Sequence, residues 1–451
     1  MPAPRTITLS EFEGVYASGE PSPTARDGLH LIDKKRFAKL EELALSLASK
    51  TADANAEPIL SLTSRKGIGK VIAVRNYVGV IAFDDGHQIE VLPKLLRSMG
   101  IPGTEERKAC EDSVRTIFLR MLRETWDVDA RESAPTDLRT ARLPVFEAFI
   151  RMFLGVVDTL VKRGLPGGYA RIERNEQFFK GKLLVAEQIR RNLVRRDRFF
   201  VAHDVFSLDN PANRILRSGL EWCLRRARRE ANLRLARQLL AAFEDVPASA
   251  NTASDFASCA SAERNAECRK ALDWCRVFLN GQSVSNLAGT RHAQALLFPM
   301  ETIFERYVAR LVRRFAPPDL RVTTQDRSLC LFEESSKGSA FLLKPDIVLR
   351  RAGAGADRVV IADTKWKLLS NAPEQNYGIS QSDMYQMYAY GKRYKADTVL
   401  LVYPLHKDTR TVCADPPYYR TANDSNVHIV FFDLTNQNQS IDSLMKHVYH
   451  P

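Results

Sequence analysis

Two short apolar runs, joined by a segment of glycine and alanine, constrain this chain more than any other feature. Leu343-Lys344-Pro345-Asp346-Ile347-Val348-Leu349-Arg350 and Val359-Val360-Ile361-Ala362-Asp363-Thr364-Lys365-Trp366-Lys367 are rich in aliphatic and β-branched residues, and Ala352-Gly353-Ala354-Gly355-Ala356-Asp357 between them is turn chemistry. The pattern reads as two adjacent strands of one hairpin. Side chains alternate across a strand, so Asp363 and Lys365 share a face, Thr364 takes the other, and Asp346 can join the first two from the neighbouring strand. The unbroken run Val359 to Ala362 marks a buried strand that delivers Asp363 to its end.

Two carboxylates and a lysine at the end of a buried sheet must be paired or hold a metal, because an isolated buried charge is costly. A hard divalent cation such as Mg2+ suits two aspartates, since it needs only one or two carboxylates plus waters and phosphate oxygens. It would acidify a bound water and neutralise charge growing on a phosphodiester, with Lys365 orienting that water. Pro345-Asp346, a spacer and Asp363-Thr364-Lys365 resemble the active site of the PD-(D/E)xK nucleases. The same triplet spacing recurs at Asp33-Lys34-Lys35 and Glu106-Arg107-Lys108, but neither lies in an apolar strand.

At 451 residues the chain exceeds one core, and about 150 residues per domain suggests roughly three. The net charge of +12 suits a polyanionic partner. Seven cysteines form no Cys-x-x-Cys pair and no zinc-type cluster, so they read as reduced thiols of a cytoplasmic protein. No export signal and no 18-residue apolar run is present, so no membrane is expected.

Residues 1–100 read as a small β-rich domain. Phe37, Leu40, Leu43, Leu45 and Leu47 predict a helix over 33–49, and 71–74, 78–83 and 88–92 read as strands with an Asp84-Asp85-Gly86 turn. Gly67-Ile68-Gly69-Lys70-Val71 is a glycine turn and not a phosphate loop, because Ser64 and Val71 occupy positions where a glycine and a Ser or Thr are required. No nucleotide is therefore expected on this chain.

Residues 101–290 read as a helical middle domain, with helices near 110–125, 144–162 and 268–279, and a long one from Asn213 bearing Arg225, Arg226, Arg228 and Arg229. Residues 165–205 interrupt it as an extended insertion, and 247–263 reads as a loop. Arg190, Arg191, Arg195, Arg196 and Arg198 suit DNA phosphates or an acidic partner, or else a solvated face that pairs with local carboxylates.

From about residue 291 the apolar stripe Phe304, Val308, Leu311, Val312 and Phe315 predicts a helix, with Glu301 and Glu305 beside it. Glu305 is the candidate for a further metal carboxylate. A second helix over 382–394 aligns Gln386 with Tyr390 and, one turn earlier, Asp383; Gln386 can steady Lys365, while Met384, Met387 and Tyr388 read as core. With strands near 398–403 and 427–432 the expected C-terminal domain is a mixed sheet flanked by helices, and the whole chain is α+β and multidomain.

Beyond the nuclease motif the chain is similar to the McrC family. The resemblance runs in order through Tyr77-Val78-Gly79-Val80-Ile81, Ile89-Glu90-Val91-Leu92-Pro93-Lys94, Phe179-Lys180-Gly181-Lys182-Leu183, Asn210-Pro211-Ala212-Asn213, Phe304-Glu305-Arg306-Tyr307-Val308, the two strands above, and Asp383-Met384-Tyr385-Gln386-Met387-Tyr388. It implies the nuclease subunit of a McrBC-type system that cuts modified-cytosine DNA. It also implies a partner ring of McrB-like AAA+ GTPase whose hydrolysis it stimulates, and a stalk-like insertion that contacts the ring. By this reading Asp346 and Asp363, with the Thr364 carbonyl and Glu305, hold Mg2+ or substituting Mn2+, while Lys365 and Gln386 serve the attacking water. A stand-alone nuclease like the RecB nuclease domain or the CRISPR-adaptation exonucleases, and a non-cutting adaptor of an AAA+ ring, are the competing readings.

Overall fold

The strand Tyr77–Phe83 is flanked by one partner that follows it directly and another more than 200 residues later. On one side lies Gln88–Leu92, reached through the Asp84-Asp85-Gly86 turn, and on the other Ala293–Pro299 pairs antiparallel with Phe298 opposite Val78. Gly79 sits at that junction with φ +138, and a Cβ there would lie 2.1 Å from the Leu296 carbonyl oxygen. Only glycine allows this approach. In this computed structural model the described residues are 6–17, 28–48, 58–95, 104–125, 144–259, 265–279, 293–334, 338–351, 358–420 and 425–449.

The chain divides into two compact units, one drawn from Met1–Asp127, Pro135–Val145 and Ser283–Pro451, the other chiefly Phe146–Gln282. In the first, Thr6–Ser10 completes the sheet just described, and Leu29–Ile32, Gly14–Ala17, Gly69–Val74 and Leu60–Arg65 form a second. The helix Lys34–Ala48 buries Phe37, Leu40, Leu43 and Leu47 in a core common to both sheets. Leu45, grouped with these on sequence, is exposed because it falls off their stripe. The glycine turn is as expected: Gly67 and Gly69 have φ +80 and +90 between two paired strands.

The same unit contains a mixed sheet in the order Leu320–Thr324, Ile347–Arg351, Arg358–Thr364, Thr398–Pro404, Asn426–Phe432, Tyr418–Arg420. The two motif strands pair antiparallel, with Ile347 opposite Ala362, as expected, whereas Thr398–Pro404 runs parallel to both its neighbours. The expected turn over 352–357 lies outside the described residues. One face buries Val348, Ile361, Val399 and Leu401 against Met387, Tyr390 and Tyr394 of the helix Gln381–Tyr394. The other receives Met300–Phe315 and Gln437–Tyr449, with Phe304 and Tyr307 packed edge-on against Phe432. The first strand is shorter than its apolar run implied, and Lys365 lies just beyond the second.

In the second unit, Val145–Arg163, Pro211–Arg226 and Ala266–Leu279 meet around Phe153, Trp222, Trp274 and Phe278, with the Trp222 and Phe278 rings stacked at 4.5 Å. The long arginine-bearing helix ends at Arg226; a new one, Glu230–Ala241, follows, so Arg228 and Arg229 are not on it. Within the expected 247–263 loop, Thr252–Ala257 forms a short helix capped by Asn251. The insertion is a β-ribbon, Gly168–Glu176 paired with Phe199–Ser207, with Lys182–Leu183 and the helix Val185–Asn192 at its side. Asn213 clamps its base by donating to the carbonyls of Pro166 at 2.9 Å and Leu208 at 2.7 Å, and Asn210 caps the helix behind it. Arg190 and Arg191 pair with Glu187, as a solvated face would, while Arg195 and Arg196 are exposed. Among the described residues no helix is long and apolar enough to cross a membrane.

Candidate active site

Strand register carries Asp346 and Asp363 together. Ile347 opposes Ala362, so the next pair outward is Asp346 and Asp363, at the sheet end where Arg358–Thr364 leaves its antiparallel partner. Asp346 is fixed by its neighbour: Thr364 donates to its Oδ2 from both N and Oγ1 at 2.8 Å. Asp363 is 2% exposed and forms an ion pair of 2.5 Å with Lys365 Nζ. The lysine also donates to Gln386 Oε1 at 3.0 Å, and Gln386 Nε2 in turn donates to the Tyr390 hydroxyl at 2.8 Å. The one-turn spacing read from sequence thus places Gln386 on the lysine and Tyr390 behind it. Asp383 holds the next basic residue, Lys367, at 2.7 Å.

Glu305 arrives from the opposite face of the sheet. Gln325 hydrogen-bonds it and lies 3.4 Å from Asp346 Oδ1, joining the two acids, whereas Glu301 is exposed. Gln325 has φ +53, a conformation rarely adopted outside glycine and asparagine, and its N–H donates to the Asp346 carbonyl at 2.9 Å. Nothing around Gln325 in the sequence marks it.

The electrostatics are those of too much negative charge in a dry place. Burial, then Asp346, pushes Asp363 up to about 7, and burial, then Asp346, does the same to Glu305, also to about 7. Burial also raises Asp346 although the Thr364 bonds and Lys365 oppose it. Burial works against the charge on Lys365, but Asp363 outweighs it and the ammonium is held above its usual range. The donor set therefore fits a hard divalent cation at Asp346 and Asp363. Among the described residues no three His, Cys, Asp or Glu side chains form a metal cage by themselves, and Mg2+ requires none, since waters and substrate oxygens complete its shell.

Behind the lysine, Trp366 is buried against Phe304 at 5.3 Å. Its Nε1 donates to Glu11 Oε2 at 3.0 Å, which also accepts from the Lys94 N–H at 2.8 Å, and Lys94 Nζ donates to the Trp366 carbonyl at 2.6 Å. Tyr388, read as core, is instead half exposed, because it falls off the buried stripe of Asp383, Met387, Tyr390, Gly391 and Tyr394.

The chain matches the family model described as McrBC 5-methylcytosine restriction system component over residues 72–404. No curated protein matches it. Among solved structures it is similar to a chain of the refined half-complex from the tetradecameric assembly of Thermococcus gammatolerans McrB AAA+ hexamers with bound McrC. That likeness has 20% identity and a TM-score of 0.66 and covers 98% of this chain and 100% of that one. It is also similar to a chain of the cryo-EM structure of the Thermococcus gammatolerans McrBC complex, at 23% identity and TM-score 0.50, over 69% of this chain and 88% of that one. At such identities the likeness speaks for the shared α+β fold. The family match, which spans well over half of the residues, bears out the resemblance read from sequence: this chain belongs to the McrBC 5-methylcytosine restriction system component family.

Proposed function

We propose that this chain is the DNA-cutting subunit of a GTP-dependent, McrBC-like restriction system of the cytoplasm, acting on modified double-stranded DNA with a McrB-like AAA+ GTPase hexamer. The observation that carries the reading is the meeting of Asp346, Asp363 and Lys365 at one sheet end, with Gln386 holding the lysine. This is a PD-(D/E)xK arrangement, and Mg2+, with Mn2+ as a substitute, is its fitting ion. Bound there, Mg2+ supplies a more acidic water and neutralises charge on the phosphodiester. Asp346 and Asp363, with the Thr364 carbonyl and Glu305, would hold the ion. Lys365, kept charged by Asp363, holds the attacking water and is itself held in line by Gln386. Positioning of this kind is worth orders of magnitude in rate.

The β-ribbon is the proposed contact with the ring. Tyr169 and Phe206 on its strands, and Phe178, Phe179, Leu193 and Val194 in the connections beside them, are all more than half exposed, a surface that suits protein contact. The test is the full complex with the partner GTPase, GTP and Mg2+. Asp363→Ala or Lys365→Ala should abolish cutting while assembly and stimulated GTP hydrolysis persist. Cutting that survives Lys365→Ala would defeat the assignment.

A further inference from the structure

The helix that brings Glu305 to the site also carries positive charge that the carboxylates do not use. A cavity of about 940 Å³ opens beside Glu305, Gln325 and Lys344. Its walls bear Arg306, Arg310, Arg313, Arg314, Arg327 and Lys344, six cations against the single carboxylate of Glu305. Two of the six share a further acid: Glu124 pairs with Arg314 and lies 3.4 Å from Arg310. Burial lowers the pKa of Arg310, and Arg314 adds to the effect against the pull of Glu124. Arg313 donates to the neutral Thr324 hydroxyl at 2.6 Å. Arg306, Arg313 and Arg327 are exposed.

Charge gathered in this way repels itself unless an anion enters. We propose that the cavity holds the sugar-phosphate backbone of a nucleic-acid strand flanking the cut, with Arg306, Arg313 and Arg327 as its phosphate contacts. The inference rests on the nuclease reading above and extends it to the course of the strand. Continuity favours a nucleic acid over an acidic protein: Gln325 lines the cavity beside Glu305, hydrogen-bonds it and lies 3.4 Å from Asp346, so a strand in the cavity lies next to the site carboxylates. Spacing agrees. Seven helical residues from Arg306 to Arg313 rise about 10 Å, a length over which one DNA strand presents about three phosphates.

The experiment measures binding of a fluorescent DNA duplex to the full-length chain across a salt series. Wild type is compared with the triple variant Arg306→Gln, Arg313→Gln, Arg327→Gln, and with Lys365→Ala. The triple variant should bind at least tenfold more weakly, and the slope of log K against log salt should flatten by about two to three, because each lost phosphate contact removes about 0.9. Its thermal shift with Mg2+ should not change. An unaltered slope overturns the proposal, and so does unaltered DNA binding with lost assembly on the partner ring, which would make the cavity a protein interface. If the triple variant weakens DNA binding while Lys365→Ala still cuts, the strand path stands and the catalytic assignment falls. Should the triple variant not fold, the exposed single change Arg327→Glu carries the same comparison.

Discussion

Trp366 and Glu11, 355 positions apart, share a buried hydrogen bond of 3.0 Å. Trp366 directly follows Lys365, so the first sheet of the chain touches the backbone that presents the lysine. Glu11 is fully buried, its Oε1 has no hydrogen-bond partner among the described residues, and burial raises its pKa against the pull of Lys94. Glu11→Ala would leave the indole N–H and the Lys94 N–H unsatisfied and should cost about 1–3 kcal/mol in chemical denaturation. Glu11→Gln, which keeps one accepting oxygen and removes the charge, should cost less. The sign with pH follows: a carboxyl raised in the folded state favours folding at low pH and loses that contribution as pH rises, so Glu11→Gln should flatten this part of the stability profile. Equal losses for both variants would show that packing and not hydrogen bonding matters there.

Metal binding should be steeply dependent on pH. Asp363 and Glu305, both pushed to about 7, favour the metal-free fold when protonated. That stability is full below the ordinary carboxylate range and is lost as pH rises through 7. A divalent cation takes the ionised forms, so the rise in Tm on adding Mg2+ should be small at pH 6 and large at pH 8. An equal rise at both values would mean that the ion does not sit on these acids. Asp363→Asn should abolish the rise at either pH.

Gln386 acts through the lysine. Gln386→Leu leaves Asp363 and Asp346 in place but frees Lys365 Nζ from its 3.0 Å bond. Cleavage should fall by about 10- to 100-fold, on the scale of a displaced catalytic group. The Mg2+ thermal shift should stay, and single-turnover rates should drop with little change in DNA affinity. A purely structural role would instead lower Tm along with activity.

The clamp at the root of the ribbon is testable apart from catalysis. Asn213→Ala strips the donors facing the Pro166 and Leu208 carbonyls and should cost about 1–3 kcal/mol locally. Limited proteolysis should then cut within 166–208 faster than in wild type, while Mg2+ binding is untouched. Loss of partner-stimulated GTP hydrolysis in this variant, with DNA binding retained, would support the ribbon as the ring contact.

What could be read in advance was local. The alternation in Val359 to Lys365 determines which residues face together, and the turn-by-turn spacing of Gln386 and Tyr390 determines their alignment; both are properties of a few consecutive residues. Glu305 was legible only as one of two acids beside a stripe, and packing against the sheet selects it over Glu301. Glu11, Lys94 and Gln325 were silent because their roles depend on strands that meet across hundreds of residues, or on a left-handed backbone at a non-glycine position. The strand Ala293–Pro299 was not read from the sequence, because its partner, Tyr77–Phe83, lies more than 200 residues earlier. Tyr388 was misread because an aromatic on a helix with a buried stripe resembles core until the stripe's direction is known.

Ala293–Pro299 passes without a connecting loop into Met300–Phe315, and the Met300 N–H is tied to the Asn76 carbonyl at 2.9 Å. The junction between the small sheet and the helix bearing Glu305 is thus a splint and not a hinge. Excising the C-terminal half ahead of residue 293 would carry Ala293–Pro299 away from Tyr77–Phe83 and leave each with a raw strand edge, so the C-terminal half is expected to aggregate when made alone.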